Sequence, residues 1–187
     1  IRAFAPSIVR HLPPTKRPIH MAMLPIIWAP DPRLKVTSEP VGEVDAAIVK
    51  LIDDMLATMY AEPGIGLSAI QIGVPKRVVV VDVARKGEEP QPLALINPVI
   101  TARSSDIAVF DEGCLSLPDH WAEVERPAEI DIRFLDRAGK QQSLHADDIL
   151  SRCIQHEMDH LDGILFVDHL SAVRRGIILR KLTKQKK

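Results

Sequence analysis

Between Val44 and Tyr60 the apolar residues Val44, Ile48, Leu51, Ile52, Met55 and Met59 recur at three-and-four spacing, and Pro63-Gly64 ends the run. That spacing predicts an amphipathic helix lying on the core, with its methionines on the buried stripe as packing and not as a cofactor box. Gly64 to Gly73 reads as a loop. Beyond it the period changes. Arg77 to Val83 is a β-branched run, and Leu93 to Thr101 and Ile107 to Phe110 follow, each bounded by Pro, Gly or Ser/Asp clusters. Glu129 to Phe134 alternates with period two, which predicts a strand with one wet face. Asp136 to Lys140, containing Gly139, predicts a hairpin turn and so antiparallel pairing. Helical spacing returns from about Asp147 to Asp162. Asp147 and Asp148 suit its start by capping and by the helix dipole, and Gly163 suits its stop. A last helix-compatible segment runs from about Leu170 to Lys184. Strands gathered before a late helix predict an α+β fold, with antiparallel sheets around that central helix, an amphipathic helix before them and a further helix at the C-terminus.

The central helix carries the densest chemistry, His156-Glu157-Met158-Asp159-His160. At 3.6 residues per turn the two imidazoles stand one above the other on one face, close enough to hold one ion. Glu157 then sits at the edge of that face, where a carboxylate can take a proton from a water held by the ion. The same face carries Ile149 and Cys153, while Ile154, Met158 and Leu161 fill the neighbouring stripe. Two ligands are too few, and the two cysteines compete to be the third. Cys153 lies seven residues before His160, about 10 Å along the axis at 1.5 Å per residue. Bonds of about 2.0 to 2.3 Å cannot gather ligands spread so far along a straight helix, so Cys153 reads as a lining or core thiol. Cys114 can approach from a separate strand end, and Gly113 before it lets backbone come close to the site.

Composition narrows the classes. The chain has 187 residues, 46% hydrophobic and 26% charged, enough for one catalytic domain with its own core. A net charge of -1 gives the whole molecule no electrostatic argument for sequence-specific nucleic-acid binding. No apolar run approaches the roughly 20 residues of a membrane span. Two cysteines in a chain of this size argue against a disulfide framework and fit a reducing compartment. Residues 1–22 hold four basic residues and no acidic one, and are read as an extension ahead of the domain, a leader or added upstream stretch before a start at Met21 or Met23. The catalytic domain is then 23–187, including a C-terminal helix from about residue 170. A bacterial-type cytoplasm is the expected location, with an organelle as the alternative if residues 1–22 are a transit peptide.

Three stretches in order, Gly64-Ile65-Gly66-Leu67-Ser68-Ala69-Ile70-Gln71, Glu112-Gly113-Cys114-Leu115-Ser116 and Gln155 to Gly163, resemble the motifs of the peptide deformylases. The resemblance covers the chain from about Met23 onward and is closest to the type 1 subgroup, bacterial and organellar. It implies metal ligation by Cys114, His156 and His160, with Glu157 as general acid/base. Gln71 and the Leu115 backbone N–H stand beside the reacting oxygen. Gly64, Ile65, Gly66 and Gly113 belong to the substrate side, where the glycines allow an extended peptide to come close, although turn formation is their simpler use. The activity implied is removal of the N-formyl group from the formyl-methionine of newly made polypeptides, releasing formate.

The resemblance implies Fe(II) as native ion, with Zn, Ni or Co able to occupy the site, whereas the ligands alone would favour zinc. It also implies transient ribosome contact through the basic residues Arg174, Arg175, Arg180, Lys181, Lys184, Lys186 and Lys187, which otherwise read as a solvated helix face. Two departures stand out: Ser68, where the family usually has alanine, and Trp121, where many relatives carry arginine or tyrosine. The alternatives are a metallopeptidase with the same helix signature, disfavoured because no downstream ligand with the usual spacing is evident, and a non-catalytic metal-stapled module binding ribosome or peptide. A structural site would need neither Glu157 nor Gln71.

Overall fold

The computed structural model describes residues 22–85 and 87–185. The basic stretch 1–22 therefore lies outside the described residues except for Ala22, whose N–H donates to Asp54 Oδ1 at 2.9 Å. Lys186 and Lys187 of the basic tail lie outside as well.

The first helix, α1, spans Ala46–Ala61, and its start is set by Asp45, whose carboxylate accepts from the N–H groups of Ala47 and Ile48. Strands β1 (Gly66–Ser68), β2 (Val78–Val81), β3 (Leu93–Arg103), β6 (Ile130–Leu135) and β7 (Gln141–Ala146) form one antiparallel sheet in the order β1-β2-β3-β6-β7. All four valines of β2 are buried because the sheet is covered on both faces. Val78 and Val80 pack with Ile52, Met55 and Met59 of α1. Val79 and Val81 face the other way, toward Cys153, Ile154, Met158 and Leu161 of the second helix, α2 (Asp148–Leu161). Strict alternation across the pleat thus turns one apolar run into two cores.

A separate antiparallel ribbon pairs β4 (Ile107–Cys114) with β5 (Leu117–Pro127) through a turn at Leu115-Ser116. Its inner side meets a third core, where Leu117 and Val124 join Ile27, Leu34, Leu165, Phe166 and Leu182. Leu182 comes from α3, Ala172–Gln185. The α+β class, the antiparallel pairing and the three helices agree with the pattern read from the chain.

Four local readings differ. The loop from Gly64 to Gly73 contains β1 and a 3-10 turn over Ala69–Ile72, pieces too short to leave a periodic signal. Strand β5 is absent from the sequence reading, because charged and polar residues break up its apolar positions and its largest apolar residue, Trp121, is exposed. Asp147 occupies the cap position of α2 but makes no side-chain cap bond. Ile149 is 39% exposed and so lies away from the buried part of its helix face. Gly163 does stop α2, with φ at +74° and Lys35 O so near that a Cβ would sit 2.6 Å from it.

Candidate metal centre

Two elements, the end of β4 and helix α2, bring three side chains to one point. Cys114 is the last residue of β4, where a register shift between Gly113 and Cys114 breaks the ladder and turns the chain. His156 and His160 come from α2, with ring centroids 5.0 Å apart and planes at 80°. One ligand atom from each of the three residues lies within 4.8 Å of the others, and this is the one such group among the described residues. His160 Nε2 is 3.2 Å from Cys114 Sγ. Metal bonds of about 2.0 to 2.3 Å hold neighbouring ligand atoms at comparable separations, so the set fits a single tetrahedral ion with one position left over.

The electrostatics favour a cation there. His156 is shifted well upward, because hydrogen bonds with Cys114 and Glu112 outweigh the burial that pulls it down. His160 is shifted well downward by burial and then by the charge on His156. The two edge-to-face rings are thus shifted in opposite directions, with His156 facing the electronegative groups of Cys114, Glu112 and Glu157. A divalent ion satisfies the same electronegative pocket while leaving both imidazoles neutral.

Residues absent from the expected site support it. His156 Nδ1 lies 2.9 Å from Glu112 Oε2, which turns Nε2 of the ring inward. Arg126 grips the same carboxylate with Nε at 2.5 Å and with its terminal nitrogen at 2.9 Å, and it reaches Asp159 Oδ2 at 2.9 Å. Glu112 and Arg126 are 8% and 5% exposed. Burial would raise the Glu112 carboxyl, but Arg126 and His156 bring it down to about 2. The sequence signal for this pair was Glu112 two residues before the thiol and an arginine on the inward face of a strand that was itself missed. Among the described residues His160 has no such counterpart, and its Nδ1 is buried without a hydrogen-bond partner.

Glu157 is 4% exposed, and burial pushes its carboxyl above the ordinary range, against the pull of His156 and Ser68. Gln71 is buried, and its amide is oriented at both ends. Its Oε1 accepts from the Ser68 N–H at 2.8 Å, and its Nε2 donates to Ser116 Oγ at 3.1 Å and faces Cys114 Sγ at 3.5 Å. Leu115 begins the turn after the thiol and packs on Gly64, where a Cβ would meet its side chain at 2.8 Å.

The glycines have unlike surroundings. Gly66 is buried against α2, where a Cβ would fall 2.6 Å from Glu157 Oε1 and 2.8 Å from Cys153 Sγ, so its first use is helix approach and not an open peptide surface. Gly113 lies under the Trp121 ring, 2.7 Å from where a Cβ would be, and Trp121 is 70% exposed at the rim. Ile65, 43% exposed, immediately precedes β1, which is an edge strand. Cys153 is a core thiol, pushed well up by burial, with Sγ 3.4 Å from Ile65 O.

A family model, polypeptide deformylase, matches residues 23–176. A peptide deformylase from Agrobacterium fabrum is 53% identical over 164 residues, covering 88% of this chain and 96% of that one. One from Rhizobium meliloti is 53% identical over 167 residues, covering 89% and 96%. The crystal structure of peptide deformylase from Ehrlichia chaffeensis in complex with actinonin superposes with a TM-score of 0.86 at 40% identity, covering 89% of this chain and 99% of that one.

Proposed function

The chain belongs to the polypeptide deformylase family, and from that premise we propose that it hydrolyses the N-formyl group from the formyl-methionine that begins newly made polypeptides, releasing formate. It is an enzyme, a hydrolase acting on a linear amide. The observation that carries the reading is the convergence of three sequence-distant stretches at one buried point, with Cys114, His156 and His160 as ligands and Glu157 and Gln71 beside them. A bound divalent ion would supply Lewis acidity and an acidified water at the fourth position.

The protein's own groups do the rest. Glu157, whose carboxyl burial raises above the ordinary range, takes a proton from the attacking water and later delivers it to the methionine nitrogen as the C–N bond breaks. The Gln71 amide, held at its oxygen by Ser68, turns its N–H donors toward the site, and with the Leu115 backbone N–H it supports the developing oxyanion. Gly64 and Ile65 lead into β1, an edge strand beside which an extended peptide can lie, Gly66 lets α2 approach behind it, and Gly113 is assigned to the substrate side with them. A formyl carbon carries only hydrogen, so a tight site admits it and rejects bulkier acyl groups.

Incubation with formylated and unformylated methionyl peptides, reading formate and cleavage products, tests the assignment. Formate from the formylated peptide alone supports it. Internal cleavage would point to a metallopeptidase, and inert protein after metal reconstitution to a binding module. Fe(II) is our proposed native ion, with oxygen-sensitive activity as its mark. Indifference to prolonged air exposure would count against iron. Ribosome contact through exposed Arg174, Arg180, Lys181 and Lys184 is proposed on charge. Neutralising these four while sparing buried Leu182 should abolish co-sedimentation at low salt. We place the protein in a bacterial-type cytoplasm. Among the described residues no helix is long and apolar enough to cross a membrane.

A further inference from the structure

A buried hydroxyl in contact with Glu157 has no task in the mechanism so far. Ser68 closes β1 with none of its surface exposed. Its Oγ lies 2.7 Å from Glu157 Oε2 and 2.7 Å from the backbone oxygen of Glu157. Its N–H, as described, donates to Gln71 Oε1. One residue therefore touches both polar side chains required for the chemistry, through different atoms. The backbone contact would survive substitution by any residue that keeps its N–H. The hydroxyl contact belongs to serine, and an alanine of nearly equal size would lose it.

Nothing else holds the carboxylate in this way. Among the described residues Ser68 is the one hydrogen-bond donor to Glu157's side chain, and it engages Oε2. Oε1 faces Gly66, 2.6 Å from where a Cβ would stand, and is the oxygen left for a water or a departing amine. The hydroxyl has one proton and two acceptors at equal distance. It can donate to the ionised carboxylate, or accept from the protonated one while donating to the Glu157 carbonyl. A single hydroxyl rotation thus keeps Glu157 paired on either side of the proton transfers, and the carboxylate need not swing.

We infer that Ser68 is a positioning residue for Glu157, holding the carboxylate through Oε2 so that Oε1 alone serves proton transfer. This rests on the deformylase reading, in which Glu157 carries the proton. Removing a hydrogen bond to a buried charged group is worth about tenfold to a hundredfold in an equilibrium or rate. The test is Ser68→Ala and Ser68→Cys in the full chain reconstituted with zinc, measuring kcat and KM for a formyl-methionyl peptide, bound zinc, and melting temperature. Ser68→Ala should lower kcat about tenfold with KM within twofold of wild type, and Ser68→Cys, a weaker donor, should fall between. Zinc content and melting temperature should not account for the loss.

A cycle with Glu157→Ala reads the route of the effect. Adding Ser68→Ala to that variant should leave its residual rate within twofold. An equal slowing in both backgrounds overturns the inference, as does a kcat for Ser68→Ala equal to that of wild type, or a loss matched by lost zinc. Wild-type protein that releases no formate overturns the deformylase reading together with the inference.

Discussion

Replacing Glu112 by glutamine tests how much of the centre depends on the groups behind the ligands. The carboxylate is 8% exposed, accepts two hydrogen bonds from Arg126 and faces His156 Nδ1. Breaking one partner of a buried ion pair costs about 3 to 5 kcal/mol, and Asp159, still 2.9 Å from Arg126, puts the expectation at the lower end. The acid chemistry leads to the same magnitude. A carboxyl lowered from an ordinary 4.5 to about 2 corresponds to about 3 kcal/mol of native-state preference for the ionised form.

The sign follows from the direction. A depressed folded pKa contributes stability above pH 4.5 and loses it as pH falls toward 2. In chelator-treated protein followed by the fluorescence of Trp28 and Trp121, Glu112→Gln should lose about 3 kcal/mol to urea at pH 7. The gap to wild type should shrink toward pH 2. Zinc affinity should fall about tenfold to a hundredfold, because His156 loses the group that orients and charges it. A variant with wild-type urea midpoint and wild-type zinc affinity would refute the account of the network.

Further outcomes are open to direct measurement. Glu157→Gln should keep its metal by elemental analysis while formate release falls about a hundredfold or more; wild-type rates would remove Glu157 from the mechanism. Gly66→Ala should destabilise by about 1 to 3 kcal/mol and slow turnover, since its Cβ would fall 2.6 Å from Glu157 Oε1, and unchanged melting and kcat would contradict that packing. Tyr60 is the chain's single tyrosine, 46% exposed, and partial desolvation with a 2.6 Å hydrogen bond to Asp82 raises it to about 12. An ultraviolet titration of phenolate should therefore show its midpoint near 12; the raised value adds stability that is present below pH 10 and lost as pH climbs through 12. A midpoint near 10 would disagree. Met55→Ala, at a site with no exposure under β2, should cost about 2 to 5 kcal/mol in urea denaturation.

What the chain determined by itself was local. Helical periodicity located α1 and α2 to within a residue or two, because the face that packs repeats every three to four residues whatever it packs against. The i, i+4 spacing put His156 and His160 on one buried face, and the arithmetic of helix rise separated Cys153 from Cys114. Ordered motifs then named Gln71 and Glu157. Only the tertiary structure decided the rest. The partners of Glu112 sit 14 and 44 residues away on β5 and α2. The hydroxyl facing Glu157 is 89 residues distant, and the buried role of Gly66 exists only because α2 lies across β1. Such contacts join atoms that no periodicity relates. They form because burial in a common core leaves polar groups no water to turn to, so each must find its partner across the fold.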